Sequence, residues 1–123
     1  MKTIKVKEWG EVPQYYTGII EFTNGNKCWY LNDKRHRVNG PACEFINGDK
    51  MWYLNGNLHR EGGPALEWAN GYKEWWVNGN LHRVDGPAIE RKNGDKAYYI
   101  NGKRVKKEAQ EVLYAMYKLK GII

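Results

Sequence analysis

The stretch NGNLHREGGPALEW, Asn55–Trp68, returns 23 residues later as NGNLHRVDGPAIER from Asn78 and stands 23 residues earlier as NDKRHRVNGPACEF from Asn32. A histidine, an arginine and a glutamate in so short a span invite a catalytic reading. Catalysis needs one constellation closed off from water. Here three equal copies are strung along the chain, and equal periods of this length define stacked supersecondary units with atypical ends. The stretch is therefore a building unit first, and no residue of it is assigned a catalytic role.

Stepping by 23 gives Gly25, Gly48, Gly71 and Gly94, followed by Trp29, Trp52, Trp75 and Tyr98. His-Arg falls at His36-Arg37, His59-Arg60 and His82-Arg83, Gly-Pro-Ala begins at Gly40, Gly63 and Gly86, and Glu21, Glu44, Glu67 and Glu90 keep the same beat. Each unit reads as a β-hairpin: an alternating stretch such as ACEFI meets Asn-Gly, KMWYL runs back to a second Asn-Gly, and Gly-Pro marks the bend to the next hairpin. The predicted fold is mainly β, a single-layer antiparallel sheet of consecutive hairpins over residues 1–104, opening with a degenerate half-unit. A capping helix and tail over residues 105–123 complete it.

A two-residue first turn would place Cys43 opposite Trp52 and Phe45 opposite Lys50. One face then carries Ile20, Phe22, Trp29, Leu31, Cys43, Phe45, Trp52, Leu54, Leu66, Trp68, Trp75, Val77, Ile89, Tyr98 and Ile100, and is expected to be the core. The other carries the glutamates, Ala42, Ala65, Ala88 and a second aromatic row, Tyr30, Tyr53, Trp76 and Tyr99, which is the candidate partner-binding surface. On this register Cys28 and Cys43 fall on opposite faces, where a bridge would be strained, and a reducing compartment is expected. Arg37, Arg60 and Arg83 are expected to form a structural ladder with Glu44, Glu67 and Glu90. His36, His59 and His82 are expected to tie connector loops through backbone carbonyls. Single histidines one repeat apart are too far to share a zinc ion, so neither metal nor cofactor is expected.

The tail is different in kind. Val105, Ala109, Val112, Leu113, Met116 and Leu119 follow helical spacing, and Gly121 stands where a helix commonly ends; Val112, Leu113 and Met116 are expected to pack on the last unit. Up to Glu90 the chain has 11 basic and 11 acidic residues, so the net charge of +6 lies wholly beyond it. Lys103, Arg104, Lys106 and Lys107 form its densest patch, available to phosphate or to an acidic partner. The amino terminus has no apolar run of signal-peptide type and no stretch approaches the roughly 20 apolar residues of a membrane span. A soluble, cytoplasmic protein is the expectation.

The phrase WVNGNLH, from Trp76, resembles the core of a MORN repeat, and the longer pattern W-Y-x-N-G-x-x-H-R-x-x-G-P-A more closely resembles a MORN-like class of phage and giant-virus proteins. The likeness spans Thr17 to Arg104 and departs from the ordinary MORN unit at Arg37, Arg60 and Arg83, where a glycine is usual. It implies a sheet of hairpins that holds partners or self-associates, in a phage-encoded protein acting in the host cytoplasm. The expected function is thus a non-catalytic interaction module engaging a protein or a second copy through its aromatic face. The alternative is a small inhibitor or sponge that stacks nucleic acid or a nucleotide on Tyr30, Tyr53, Trp76 and Tyr99 and holds phosphate with the basic tail.

Overall fold

Backbone dihedrals separate the two Asn-Gly turns of each unit. At the second, both residues lie in the left-handed region, Asn55 at φ 48° and Gly56 at φ 82°, as a two-residue type I′ turn requires. At the first, Gly48 alone has positive φ, 97°, while the Phe45 amide bonds the Asp49 carbonyl at 3.0 Å and the Gly48 amide bonds the Phe45 carbonyl at 2.9 Å. That is a three-residue loop with a left-handed third residue. The extra residue sets the register: Glu44 faces Lys50 and Cys43 faces Met51, not Trp52.

The computed structural model describes residues 1–122 as a mainly β chain with one C-terminal helix. The strands are β1 (Thr3–Val6), β2 (Gly18–Phe22), β3 (Lys27–Leu31), β4 (Lys34–Arg35), β5 (Cys43–Glu44), β6 (Lys50–Met51), β7 (Tyr53–Leu54), β8 (Asn57–Leu58), β9 (Leu66–Glu67), β10 (Lys73–Glu74), β11 (Trp76–Val77), β12 (Asn80–Leu81), β13 (Ile89–Glu90), β14 (Lys96–Ile100) and β15 (Lys103–Val105). Helix α1 covers Lys107–Leu119 and closes on Gly121 at φ 71°, with the Ile122 amide on the Tyr117 carbonyl at 2.9 Å. The strand thus runs on to Val105, slightly beyond the boundary drawn from the sequence.

One large sheet runs β1-β2-β3-β5-β6-β9-β10-β13-β14-β15, antiparallel except for the β1–β2 pair. It is not the whole of a single layer. The chain leaves it at Trp52 and Trp75, and β7–β8 and β11–β12 form separate two-stranded ladders. Backbone bonds lace this second row from unit to unit, Arg37 to Tyr53 at 3.1 Å, Arg60 to Trp76 at 3.0 Å and Arg83 to Tyr99 at 3.1 Å.

The corrected register exchanges the faces of every return strand. Trp29, Leu31, Trp52, Leu54, Trp75, Val77, Tyr98 and Ile100 leave the expected core face and join the glutamates and alanines, because a shift of one residue turns each side chain over. The core instead gathers Val6, Tyr16, Ile20, Cys28, Tyr30 and Cys43, flanked by Ile4, Val12, Phe22, Phe45 and Met51. It lies toward the amino terminus, where β1 adds a parallel edge and Trp9 packs edge-on against Phe22 and Tyr30 at 5.4 and 5.6 Å.

Helix α1 also turns the other way. Val112 and Met116 are exposed and Leu119 is 88% exposed, whereas Gln110 is buried and its Nε2 donates to the carbonyls of Val84 and Gly86. Half-buried Leu113, Tyr114 and Tyr117 fall at the 3-4 spacing from Gln110. A polar anchor therefore sets the docked face, and the smoother apolar stripe looks outward.

Two outcomes check this fold. The Trp29 amide bonds the Ala42 carbonyl at 2.7 Å, so Cys28 and Cys43, the adjacent directly opposed pair, occupy a narrow non-hydrogen-bonded site. Its usual Cα separation of about 4.5 Å is within disulfide range. Refolding with excess oxidised glutathione should therefore remove the mass of two hydrogens and join Cys28 to Cys43 in peptide maps; two free thiols would contradict the register. Gln110→Ala should cost about 1–3 kcal/mol in chemical denaturation by stripping a donor from two carbonyls, while Val112→Ser should change stability by less than about 0.5 kcal/mol.

Candidate functional site

The repeated motif builds one clamp three times. The Arg37, Arg60 and Arg83 guanidinium carbons lie 3.8, 3.9 and 4.0 Å from the ring centroids of Trp29, Trp52 and Trp75. Each Nη1 donates to a proline carbonyl, of Pro41, Pro64 or Pro87, at 3.0–3.1 Å. Each also meets a glutamate of the following hairpin, Glu44 at 3.1 Å, Glu67 at 3.3 Å and Glu90 at 3.5 Å. The other side of the guanidinium is closed by glycine: a Cβ on Gly40, Gly63 or Gly86 would stand 2.9, 2.8 or 2.7 Å from the arginine Cζ. Ala42, Ala65 and Ala88 have no exposed surface, sitting in register between successive aromatic rings of that face. Tryptophan, arginine, Gly-Pro-Ala and glutamate thus form one packed set, with the cation–π contact worth about 0.5–2 kcal/mol per copy.

Lysines at the same period complete the surface. Lys5, Glu21, Lys27, Glu44, Lys50, Glu67, Lys73, Glu90 and Lys96 stand directly opposite one another across successive strand pairs, alternating in sign. The sequence reading missed this lysine series, although its spacing equals that of the glutamates.

The histidines act as acceptors, and not through carbonyls as expected. Nδ1 of His36, His59 and His82 accepts the backbone amides of Asn55, Asn78 and Asn101 at 2.9, 2.9 and 3.0 Å. Each bond fixes the left-handed asparagine that starts the next type I′ turn. An amide can only donate, so Nδ1 must be unprotonated. Burial lowers the His82 pKa from its ordinary value.

The aromatic row divides along the opposite face. Tyr30 is buried at 7% exposure, and this burial raises its pKa to about 12 against the lowering influence of the Arg35 hydrogen bond. It is part of the core, not a contact for a partner. Tyr53, with the Arg35 guanidinium over its ring at 5.5 Å, Trp76 and Tyr99 are half-buried. The row gains a member that the sequence reading had placed in the core: Trp68, 44% exposed, lies against Tyr72 with ring centroids 4.8 Å apart. The basic residues Lys103, Arg104, Lys106 and Lys107 are exposed, and Arg104 faces Tyr99 across β14–β15. A further contributor is Glu74, whose Oε1 accepts Trp76 Nε1 at 2.7 Å and whose Oε2 accepts the Tyr72 hydroxyl.

No helix among the described residues is long and apolar enough to cross a membrane, and no group of three histidine, cysteine or acidic side chains among them is placed to hold a metal. No protein-family model, curated protein or solved structure matches this chain.

The His82 bond carries a pH signature. Because the folded state lowers the His82 pKa, its contribution is complete above the unfolded value of about 6.5 and is lost as pH falls below it toward the folded value. Melting temperature should therefore drop between pH 7.5 and 5.5 by less in His82→Gln, whose carbonyl accepts the same amide without titrating, than in the unaltered chain. Equal drops would remove the imidazole from the linkage.

Proposed function

We propose that the chain is a non-catalytic interaction module of the MORN-like hairpin type, engaging a protein partner through the aromatic face of its third and fourth hairpin units. The observation that carries this reading is the uneven cover of that face. Its amino-terminal part is packed against Val12, Tyr16 and Trp9, while Trp68, Tyr72, Trp76 and Tyr99 keep accessible ring surface beyond it. Exposed aromatic groups with polar edges are the typical anchors of protein interfaces.

The opposite face is less suited to this role, because its rings are already occupied by arginines and its charges are already opposed in the sheet. The alternative of a nucleic-acid or nucleotide binder draws support from Arg91, Lys92 and Arg104 near these rings. Glu74 favours a protein over that alternative, since a carboxylate within the row repels phosphate.

A chain carrying Trp68→Ala and Tyr99→Ala should melt near the unaltered temperature yet lose the protein that the unaltered chain captures from extract of its native host. Val112→Ser with Met116→Ser should retain that protein. Capture by the aromatic variant as strong as by the unaltered chain would dismiss this surface. Binding to single-stranded oligonucleotide that weakens steeply with salt would favour the nucleic-acid reading.

A further inference from the structure

The third hairpin departs from its own repeat at neighbouring positions on the aromatic face. Where other units have Cys28, Met51 and Ala97 it has Glu74, and where they have Asn26, Asp49 and Asp95 it has Tyr72. The usual residue ties each loop to the next, since Asn26 Oδ1 accepts the Ile46 amide at 3.1 Å and Asp49 Oδ1 accepts the Ala69 amide at 2.8 Å. Tyr72 cannot make that bond. Its hydroxyl turns instead to Glu74, which Trp76 holds from the other side.

Glu74 stands in register between Leu66 and Ile89, both 6% exposed, so the carboxylate rises from an apolar strip. Among the described residues no basic nitrogen lies within 4.0 Å of it. Arg91 is opposite Tyr72 by extension of the β10–β13 register but makes no such pair. A carboxylate has about four acceptor sites, and two neutral donors leave two of them open. Tyr72, which bonds Glu74, also borders, with Trp68, Arg91 and Lys92, a shallow open recess of about 540 Å³ that Glu74 itself does not line.

We propose that Glu74, with the rings of Trp68, Tyr72 and Trp76, is a recognition site for an ammonium or guanidinium group presented by the protein partner. This rests on the reading of the aromatic face as the interaction surface and names the chemistry the partner brings there. The carboxylate is oriented before the ligand arrives, so a charge-assisted hydrogen bond forms without reorganising the site. Ring faces add cation–π attraction and reject a neutral group of the same shape less strongly than the carboxylate does. Arg91 opposes the arriving charge and thereby disfavours simple cations that lack further contacts.

The Trp76 indole N–H signal of the isotopically labelled full chain reads the site directly, because that proton is bonded to Glu74. Titration with N-acetyl-arginine methylamide should shift it saturably, and the neutral citrulline counterpart should bind about tenfold more weakly or not at all. Glu74→Gln should weaken the arginine response about tenfold, measured on the Trp68 indole signal. Glu74→Met, which restores the residue type found at Met51, should abolish the response while raising the melting temperature. Arg91→Gln should tighten it.

No saturable shift in the unaltered chain, or an equal shift with citrulline, overturns the site. So does a double-mutant cycle in which Glu74→Gln and Arg91→Gln destabilise by a shared coupling, since the carboxylate would then belong to an internal pair. A partner lost by the aromatic variant but retained by Glu74→Gln overturns this site and leaves the face. An arginine response that depends on Glu74, with the partner retained by the aromatic variant, leaves a cation site on the chain but overturns its use by that partner and dismisses the face.

Discussion

The guanidinium of Arg37, Arg60 or Arg83, packed between a tryptophan ring and a glycine, is the contact on which the repeated architecture depends. Each arginine joins three parts of the chain: the return strand that supplies the ring, the Gly-Pro bend that accepts a hydrogen bond, and the next hairpin that supplies glutamate. The hairpins contribute strands as short as two residues, such as β5, β6, β9 and β10, and isolated hairpins are marginal in water. Joining each to its successor is therefore what makes the sheet stable. The arginine–glutamate pair alone would add little at a half-exposed site; enclosure by ring and glycine partly desolvates the cation and strengthens both contacts.

This arrangement commits one face to cohesion and leaves the other to carry difference. Lysine and glutamate alternate in register from strand to strand across the clamp face. The opposite face holds a small core at one end, where Ile20 and Cys43 are fully buried. There the Cys28 and Cys43 thiols stand directly opposite each other across β3 and β5. Toward the other end the cover thins, and side chains can vary without breaking the clamp.

The period, the hairpins and the terminal helix are legible in the residues because turn chemistry and hydrophobic spacing report local geometry. The faces are not legible from Asn-Gly alone, since the same dipeptide serves two turns: Asn47-Gly48 uses one left-handed residue and Asn55-Gly56 uses two. Charge contained the missing information. Opposing Lys50 to Glu44, and Lys73 to Glu67, requires three residues in the first loop, and that register would have moved Trp52 off the core face and set Cys28 beside Cys43. The helix was misjudged for a related reason. Apolar spacing finds a stripe, but two carbonyls at the end of the last loop need a donor, and Gln110 supplies it from the other side. The Arg–Glu spacing was visible from the sequence, whereas the sandwich that gives it strength depends on a glycine whose role appears only in three dimensions.

Identical copies and departures from them carry different information. Three histidines, each accepting an asparagine amide at nearly the same distance, repeat one structural role and cannot single out a unique ligand. Trp68, Tyr72, Glu74 and Arg91 break the repeat at adjoining positions, and they break it on the face that the clamp leaves free. Tyr72 gives up the loop bond made by Asn26 and Asp49, and Glu74 places a charge where apolar packing would serve stability better. Locally unfavourable choices that cluster and hydrogen-bond to one another are where a role other than folding is to be looked for. In a protein assembled by repetition, function is sought where repetition fails in a coordinated way, and here that place is the strip between Trp68 and Tyr99.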